Sequence, residues 1–127
     1  MSIPLIVAVD FDGTCVTHEY PKVGLDIGAQ EVLKRLVDNN HKIILFTMRS
    51  GEELEQAVTW FRKNKIPLFG INKNPEQHTW TSSPKPYAHL YIDDAALGCP
   101  LKQINSNQRA YVDWDKVEKF LIKRELI

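Results

Sequence analysis

An apolar run that stops at two carboxylates is the feature of this sequence that most restricts its fold. Leu5 to Val9 are consecutive aliphatic residues, rich in Val, which is typical of a strand buried on both faces of a parallel sheet. Asp10 and Asp12 follow directly, and Gly13 ends the strand. Because open α/β sheets bind ligands at the carboxyl ends of their strands, we expect both carboxylates at a ligand site. An ordinary strand followed by an Asp-Gly turn is the alternative.

The composition is that of one compact domain. The chain has 127 residues, 43% hydrophobic and 25% charged, so residues 1–127 are expected to share one core. The formal net charge is 0, which gives no reason to expect a nucleic-acid partner. Without a membrane-length apolar run or a signal peptide, the expected location is the cytoplasm, away from membranes. Cys15 and Cys99 are too few for a disulfide framework, and no role is assigned to them.

Alternating apolar runs and amphipathic segments predict the α/β class. The predicted strands are 5–9, 42–46, 68–71, 88–92 and 110–112, the last one an edge strand, and the predicted helices are 28–39, 50–63 and 113–125. This order predicts a three-layer α/β/α fold with a doubly wound, mostly parallel sheet. Since parallel neighbours are joined by right-handed crossovers, Thr47 should emerge at the same sheet edge as Asp10 and Asp12.

Helical spacing also predicts which side chains are covered. In the second helix Trp60 falls off the apolar stripe and is expected to be half covered. In the last helix Val117, Phe120 and Leu121 are expected to pack inward. The four dispersed histidines are expected to be structural or exposed; they are His18, His41, His78 and His89.

Two long irregular segments are expected at the active edge of the sheet. Residues 15–27 follow the paired Asp residues directly, so this loop should lie over the site. Residues 72–86 contain three prolines and Trp80, and this segment is the candidate for substrate contacts. The alternative for the second segment is a surface loop with Trp80 tucked against the core.

The fourth predicted strand repeats the pattern of the first. It too stops at paired carboxylates, Asp93 and Asp94. Turn chemistry accounts poorly for the same feature at two separate strands. Because converging carboxylate oxygens are the ligands that Mg²⁺ prefers, we expect Mg²⁺ at this edge of the sheet.

Four segments in this order resemble the haloacid dehalogenase superfamily of hydrolases. Residues 10–14 match its DxDGT motif, 43–47 match its apolar strand ending in Thr or Ser, Lys85 matches its lysine, and 90–94 match its apolar strand ending in DD. The resemblance spans nearly the whole chain and implies a Rossmann-like fold. No insertion is long enough for a large cap domain. Such open sites often serve bulky phosphates, although a homo-oligomer can cover the opening instead.

The resemblance implies a Mg²⁺-dependent phosphomonoester hydrolase that works through an aspartyl-phosphate. Asp10 would be the nucleophile, and the Asp12 side chain would protonate the leaving oxygen and then activate water. Asp10, the backbone carbonyl of Asp12 and Asp93 would hold Mg²⁺, with Asp94 supporting them. The partner would be a phosphorylated substrate whose size the sequence does not define.

The resemblance also implies contacts to the phosphoryl oxygens. Thr47, the Met48 backbone N–H and the Lys85 ammonium would hold the oxygens that the metal does not reach. Each residue has a plainer alternative, since Thr47 could simply end a strand and Lys85, between two prolines, could be a solvated lysine. Arg49 is a candidate substrate contact or, equally, a surface arginine at a helix start.

Other functions stay open at this point. A non-catalytic phosphoryl-binding or interaction domain would keep the fold without turnover, and a phosphotransferase would use an acceptor other than water. A response-regulator receiver is disfavoured because Lys85 precedes the second acidic pair. The sequence contains neither GxxxxGK[ST] nor GxGxxG, so neither a P-loop nor a dinucleotide site is supported.

Overall fold

The structure, a computed structural model, describes residues 3–127 and has a parallel sheet at its centre. Four strands lie in the order β3-β2-β1-β4, namely β1 (Ile6–Val9), β2 (Lys42–Leu45), β3 (Gly70–Ile71) and β4 (Leu90–Ile92). The helices are α1 (Ala29–Asp38), α2 (Gly51–Lys63) and α3 (Trp114–Lys123). The predicted α/β class with a mostly parallel sheet is confirmed. None of the helices within residues 3–127 is long and apolar enough to cross a bilayer.

The two faces of the sheet are covered differently. Side chains alternate along each strand, so Val7, Val9 and Leu45 join the main core, to which all three helices contribute buried residues. Ala8 and Ile44 point to the other face, where their cluster includes no residue from α1, α2 or α3. The return from β3 to β4 carries the chain past β2 and β1, and a right-handed crossover in that direction runs over this second face. This second face is therefore covered by the connection between β3 and β4, which is irregular apart from the 3-10 helix Gln77–Thr79.

Two predictions about helix faces are wrong. Trp60 is only 8% exposed, because its ring packs edge-on against Phe11 and its indole N–H donates to Asp26 at 2.9 Å. Phe120 is 54% exposed. The inward stripe of α3 runs instead through its buried residues Trp114, Val117 and Leu121.

A small second sheet lies where a connection and an edge strand were predicted. Strands β5 (Leu101–Lys102) and β6 (Tyr111–Val112) pair antiparallel with each other and lie outside the main sheet. No strand was predicted between residues 93 and 109, so β5 was missed, because two residues are too short to show a period of two. The start of the loop 15–27 packs into the main core, since Cys15 and Val16 are fully buried there, and single bridges join Val16 to Asp12 and Asp26.

A buried histidine joins the first strand to the end of the chain. His41 is 3% exposed, and its Nδ1 accepts from the Leu5 backbone N–H at 2.9 Å. Its Nε2 therefore carries the proton and donates to the Leu126 carbonyl, also at 2.9 Å. This bridge confirms the structural role expected for this histidine.

We expect His41→Leu to lower the free energy of unfolding by roughly 2–4 kcal/mol. The substitution leaves the partly buried Leu5 N–H and the buried Leu126 carbonyl without their histidine partner, and a buried group without a partner costs about 1–3 kcal/mol. Chemical denaturation measures the loss, with His78→Leu at an exposed position as the control. Equal stabilities of the two variants would contradict the structural role.

Candidate functional site

Three carboxylates meet at the carboxyl edge of the sheet. Asp10 follows β1, and Asp93 and Asp94 follow β4, the strand that pairs with β1 in parallel. One carboxylate oxygen from each lies within 4.8 Å of the others. Carboxylate oxygens are the hard donors that Mg²⁺ and Ca²⁺ take in proteins, so these three could supply part of the coordination of a divalent cation. We call Asp10, Asp93 and Asp94 the acidic cluster.

Gly13 and Thr14 allow the turn after β1 to pack closely against the acidic cluster. The buried Thr14 hydroxyl donates to Asp10 Oδ2 at 2.9 Å and accepts the Asp94 backbone N–H at 3.0 Å. Gly13 has a φ of 77°, and a Cβ at this position would collide with the Asp94 carboxylate. Only glycine therefore allows the turn to approach the cluster so closely.

The acidic cluster carries more negative charge than its neighbours compensate. Burial, and then the neighbouring charge of Asp93, raise the pKa of Asp10 from 3.8 to about 7. Hydrogen bonds from the Thr14 hydroxyl and the Phe11 backbone N–H act in the opposite direction but are outweighed. A bound cation would offset the same repulsion, so the residues present fit a metal ion.

Asp12 is held apart from the acidic cluster by Arg49. Arg49 Nε donates to Asp12 Oδ2 at 2.8 Å, and Nη2 donates to Oδ1 at 2.7 Å, which makes a bidentate ion pair. The remaining three N–H groups donate to the carbonyls of Pro21, Lys22 and Glu53. All five guanidinium donors are thus used.

Burial excludes one of the two alternatives considered for Arg49, and substrate contact by Arg49 stays a prediction. At 2% exposed it is not a surface arginine, so that alternative is wrong. With every donor engaged by protein groups, this arrangement leaves none for a substrate. Its neighbours Met48 and Ser50 lie on the exposed side of the turn, and nothing in the local sequence distinguishes the buried position from theirs.

A cavity of about 470 Å³ lies over these carboxylates. Besides Asp10, Asp12, Asp93, Asp94 and Arg49, its lining residues are His18, Tyr20, Thr47, Met48, Ala95 and Arg109. His18 and Tyr20 come from the loop 15–27, which was predicted to lie over the site. A cavity of about 520 Å³ beside α2 is slightly larger but lies away from the acidic cluster.

Arg109 is a cavity residue that the sequence did not single out. It is 60% exposed at the side chain, and its Nη2 lies 3.8 Å from Asp94 Oδ2. It lies in the connection between β5 and β6, which carries no motif. Its position depends on how that small sheet packs beside the site: the Val112 backbone N–H donates to the Gly13 carbonyl at 3.0 Å.

The structure brings some predicted phosphate-binding residues to the cavity and leaves others outside its lining. Thr47 and Met48 line it, and the Thr47 backbone N–H is anchored on Asn72 Oδ1 at 2.8 Å. Lys85 Nζ lies 5.2 Å from the centre of the Tyr91 ring. Tyr91 and Asp10 together line an adjoining cavity of about 220 Å³, so Lys85 stands beside the site and not within it.

Trp80 lies apart from both cavities that Asp10 lines. Its side chain is 64% exposed and packs edge-on against Tyr87 at 5.5 Å between ring centres. The alternative that placed Trp80 against the core is therefore wrong, because its contact is another half-exposed ring on the surface. Substrate contact by Trp80 stays a prediction.

Comparison with known proteins gives one informative match. The chain matches no family model and no curated protein. It is similar to a solved structure of a conserved protein from Bacteroides thetaiotaomicron, with 36% sequence identity and a TM-score of 0.73. The match covers 97% of this chain and 93% of the other. The similarity therefore extends over nearly the whole of the α/β architecture.

We expect Asp10→Asn to stabilise the metal-free protein increasingly as pH rises. The folded state keeps a proton on Asp10 up to about pH 7, whereas the unfolded chain loses it near pH 3.8, so wild type loses stability across that window. The amide has no such loss. At pH 8 the gain should be on the order of 1–3 kcal/mol, after allowance for partial solvent exposure.

Thermal unfolding in EDTA at pH 4 and pH 8 measures this difference. Asp115→Asn, at an exposed position of α3, makes the same charge change outside the site and should show little pH-dependent gain. A stability difference between Asp10→Asn and wild type that is the same at both pH values would contradict the expected repulsion.

Proposed function

The chain belongs to the same family as the conserved Bacteroides thetaiotaomicron protein, and from its own site we propose that it is a Mg²⁺-dependent phosphomonoester hydrolase of the haloacid dehalogenase type. One observation carries the proposal. Four carboxylates at one cavity are divided into a three-membered acidic cluster and a separately held Asp12. Metal binding and proton transfer need carboxylates in these two different environments.

Mg²⁺ suits the acidic cluster because the ligands are hard oxygens and because one exposed arginine, Arg109, compensates only part of the negative charge. Asp10, Asp93 and the Asp12 backbone carbonyl would hold the ion, and the Asp94 carboxylate is close enough to Asp10 and Asp93 to join or support them. When bound, the ion supplies positive charge that offsets the repulsion between a carboxylate nucleophile and a phosphate dianion. The raised pKa of Asp10 supports this need for a cation.

The protein groups would carry out hydrolysis in two steps. In the first, an Asp10 oxygen attacks phosphorus, the bond from phosphorus to the leaving oxygen breaks, and a proton from Asp12 goes to that oxygen. In the second, a water oxygen attacks phosphorus and gives a proton to Asp12, and the bond from phosphorus to the Asp10 oxygen breaks, so that phosphate is released and the Asp10 carboxylate is regenerated. Asp12 must carry its proton before the first step, and since both Asp12 oxygens accept from Arg49, that proton uses the remaining lone pair of one oxygen.

Three groups would hold the phosphoryl oxygens during these steps. The Thr47 hydroxyl and the Met48 backbone N–H belong to the turn that follows β2 and lines the cavity. The Lys85 ammonium stands over Tyr91, at the adjoining cavity that also contains Asp10. A lysine side chain is long and flexible enough to reach an anion bound at Asp10 from there.

We expect Mg²⁺-dependent phosphate release from an aryl phosphate by the wild-type protein. Asp10→Asn should lower kcat by at least about 10³-fold because the amide is a poor nucleophile, whereas Asp115→Asn should stay within about twofold. Phosphate release with Mg²⁺ or EDTA measures the effect. Release from wild type that Asp10→Asn leaves intact would contradict the aspartyl nucleophile.

A panel of aryl, alkyl, sugar and nucleoside monophosphates tests the proposal more broadly. Failure of wild type to release phosphate from any of them with Mg²⁺ would contradict the hydrolase and favour the non-catalytic binding domain. An added alcohol distinguishes a phosphotransferase from a hydrolase, because a phosphotransferase would form a phosphorylated alcohol in place of part of the free phosphate.

We expect Lys85→Gln to lower kcat/KM for the same substrate by roughly 10–100-fold. The substitution removes a charge-assisted contact to the phosphoryl group while keeping a side chain of similar length. Steady-state kinetics measure the loss, and Lys119→Gln, an exposed lysine on α3, is the matched control. Equal effects of the two substitutions would make Lys85 a solvated surface residue.

A further inference from the structure

The mouth of the site cavity exposes two large apolar side chains. Tyr20 is 53% exposed and Met48 is 98% exposed, and both line the cavity that contains Asp10 and Asp12. They come from different segments, Tyr20 from the loop 15–27 and Met48 from the turn after β2. A single exposed apolar residue is ordinary, but two at one charged cavity place apolar surface beside the proposed chemistry.

The Tyr20 ring is held by a buried cation. The Arg49 guanidinium carbon lies 5.2 Å from the centre of the Tyr20 ring and 5.1 Å from the centre of the Phe11 ring. The same guanidinium donates to the carbonyls of Pro21 and Lys22, the two residues that follow Tyr20. One face of the ring is thus set against Arg49, while about half of the side chain stays open to solvent.

Burial of this guanidinium would be costly if any of its donors lacked a partner, and five acceptors prevent that cost. Two of the five are carbonyls of the loop that carries Tyr20. Movement of this loop away from Arg49 would therefore leave buried donors of the guanidinium without partners. The Tyr20 ring is preorganised at the cavity before any ligand arrives, which reduces the entropic cost of binding against it.

Arg49 contacts both Tyr20 and the proposed proton donor, Asp12. Arg49 pairs with both oxygens of Asp12, at 2.7 and 2.8 Å, and its guanidinium also lies against the Tyr20 ring. In the proposed reaction Asp12 protonates the leaving oxygen. The group attached to that oxygen must then lie beside Asp12, on the side of the cavity where Tyr20 stands.

We propose that Tyr20 determines specificity by stacking against a planar aromatic leaving group, with Met48 as a second apolar contact. The substrate class is then the phosphomonoesters whose alcohol carries an aromatic or heteroaromatic ring close to the phosphate. This inference rests on the proposed hydrolase function. A fixed tyrosine face suits a flat π-surface, and the methionine thioether packs readily against aromatic rings.

Two substrates that differ only in the ring test the proposal. Benzyl phosphate and cyclohexylmethyl phosphate have similar size and similar leaving alcohols, so a difference in kcat/KM reports recognition of the flat ring. Stacking contacts of this kind predict a preference of wild type for benzyl phosphate of roughly 5–50-fold. Tyr20→Leu should bring the ratio close to one, and Tyr20→Phe should keep most of it because the ring remains.

Two further variants complete the design. Met48→Ser changes a fully exposed side chain, so it should not affect folding. It should lower the ratio of the two kcat/KM values by roughly 2–5-fold. Tyr87→Leu alters a half-exposed tyrosine outside both cavities that Asp10 lines and should leave the ratio unchanged. Far-ultraviolet circular dichroism and thermal unfolding confirm that each variant is folded.

The outcomes separate this inference from the proposed function. If wild type hydrolyses neither ester nor any other monophosphate, the hydrolase fails, and the inference fails with it. If wild type hydrolyses both esters equally, the hydrolase stands and the inference is overturned. A benzyl preference that survives both Tyr20→Leu and Met48→Ser also overturns it, because the ring would then be recognised elsewhere.

Discussion

Repulsion among carboxylates at one sheet edge is the constraint on which the rest of the site depends. Parallel pairing of β1 with β4 brings Asp10 next to Asp93 and Asp94, and burial together with the charge of Asp93 raises the pKa of Asp10 to about 7. Thr14 and Gly13 let the strands approach despite that repulsion, by a bridging hydroxyl and by the absence of a side chain. The metal-free protein therefore gives up stability at a position where a cation would restore it.

The negative charge of the fourth carboxylate, that of Asp12, is compensated by Arg49. Asp12 is neutralised by a buried guanidinium, which also fixes the loop above the cavity through backbone carbonyls. One side chain thus connects the proposed proton donor, the start of α2 and the residues at the mouth. Charge compensation at Asp12 and the shape of the opening are parts of the same hydrogen-bond network, so neither can change alone.

The sheet is covered by helices on one face and by an irregular connection on the other. That connection carries Lys85 beside the site and Trp80 on the surface. The cavity over the acidic cluster is bounded by loops and turns, with Tyr20, Met48 and Arg109 at its edge. Recognition of whatever group is attached to the phosphate must come from such loop residues, since their side chains are the ones that the opening presents.

Sequence by itself determined the parts of this protein that depend on local pattern. The apolar runs before Asp10 and Asp93 identify buried strands, and parallel topology brings their ends together whatever the loops do. Long-range packing decided the rest. The burial of Trp60 and Arg49, and the position of Arg109 at the cavity, each depend on partners distant in the chain, as does the contact with Arg49 that holds Tyr20 within its predicted loop. Such contacts leave no period or spacing in the sequence, so only the tertiary structure could reveal them.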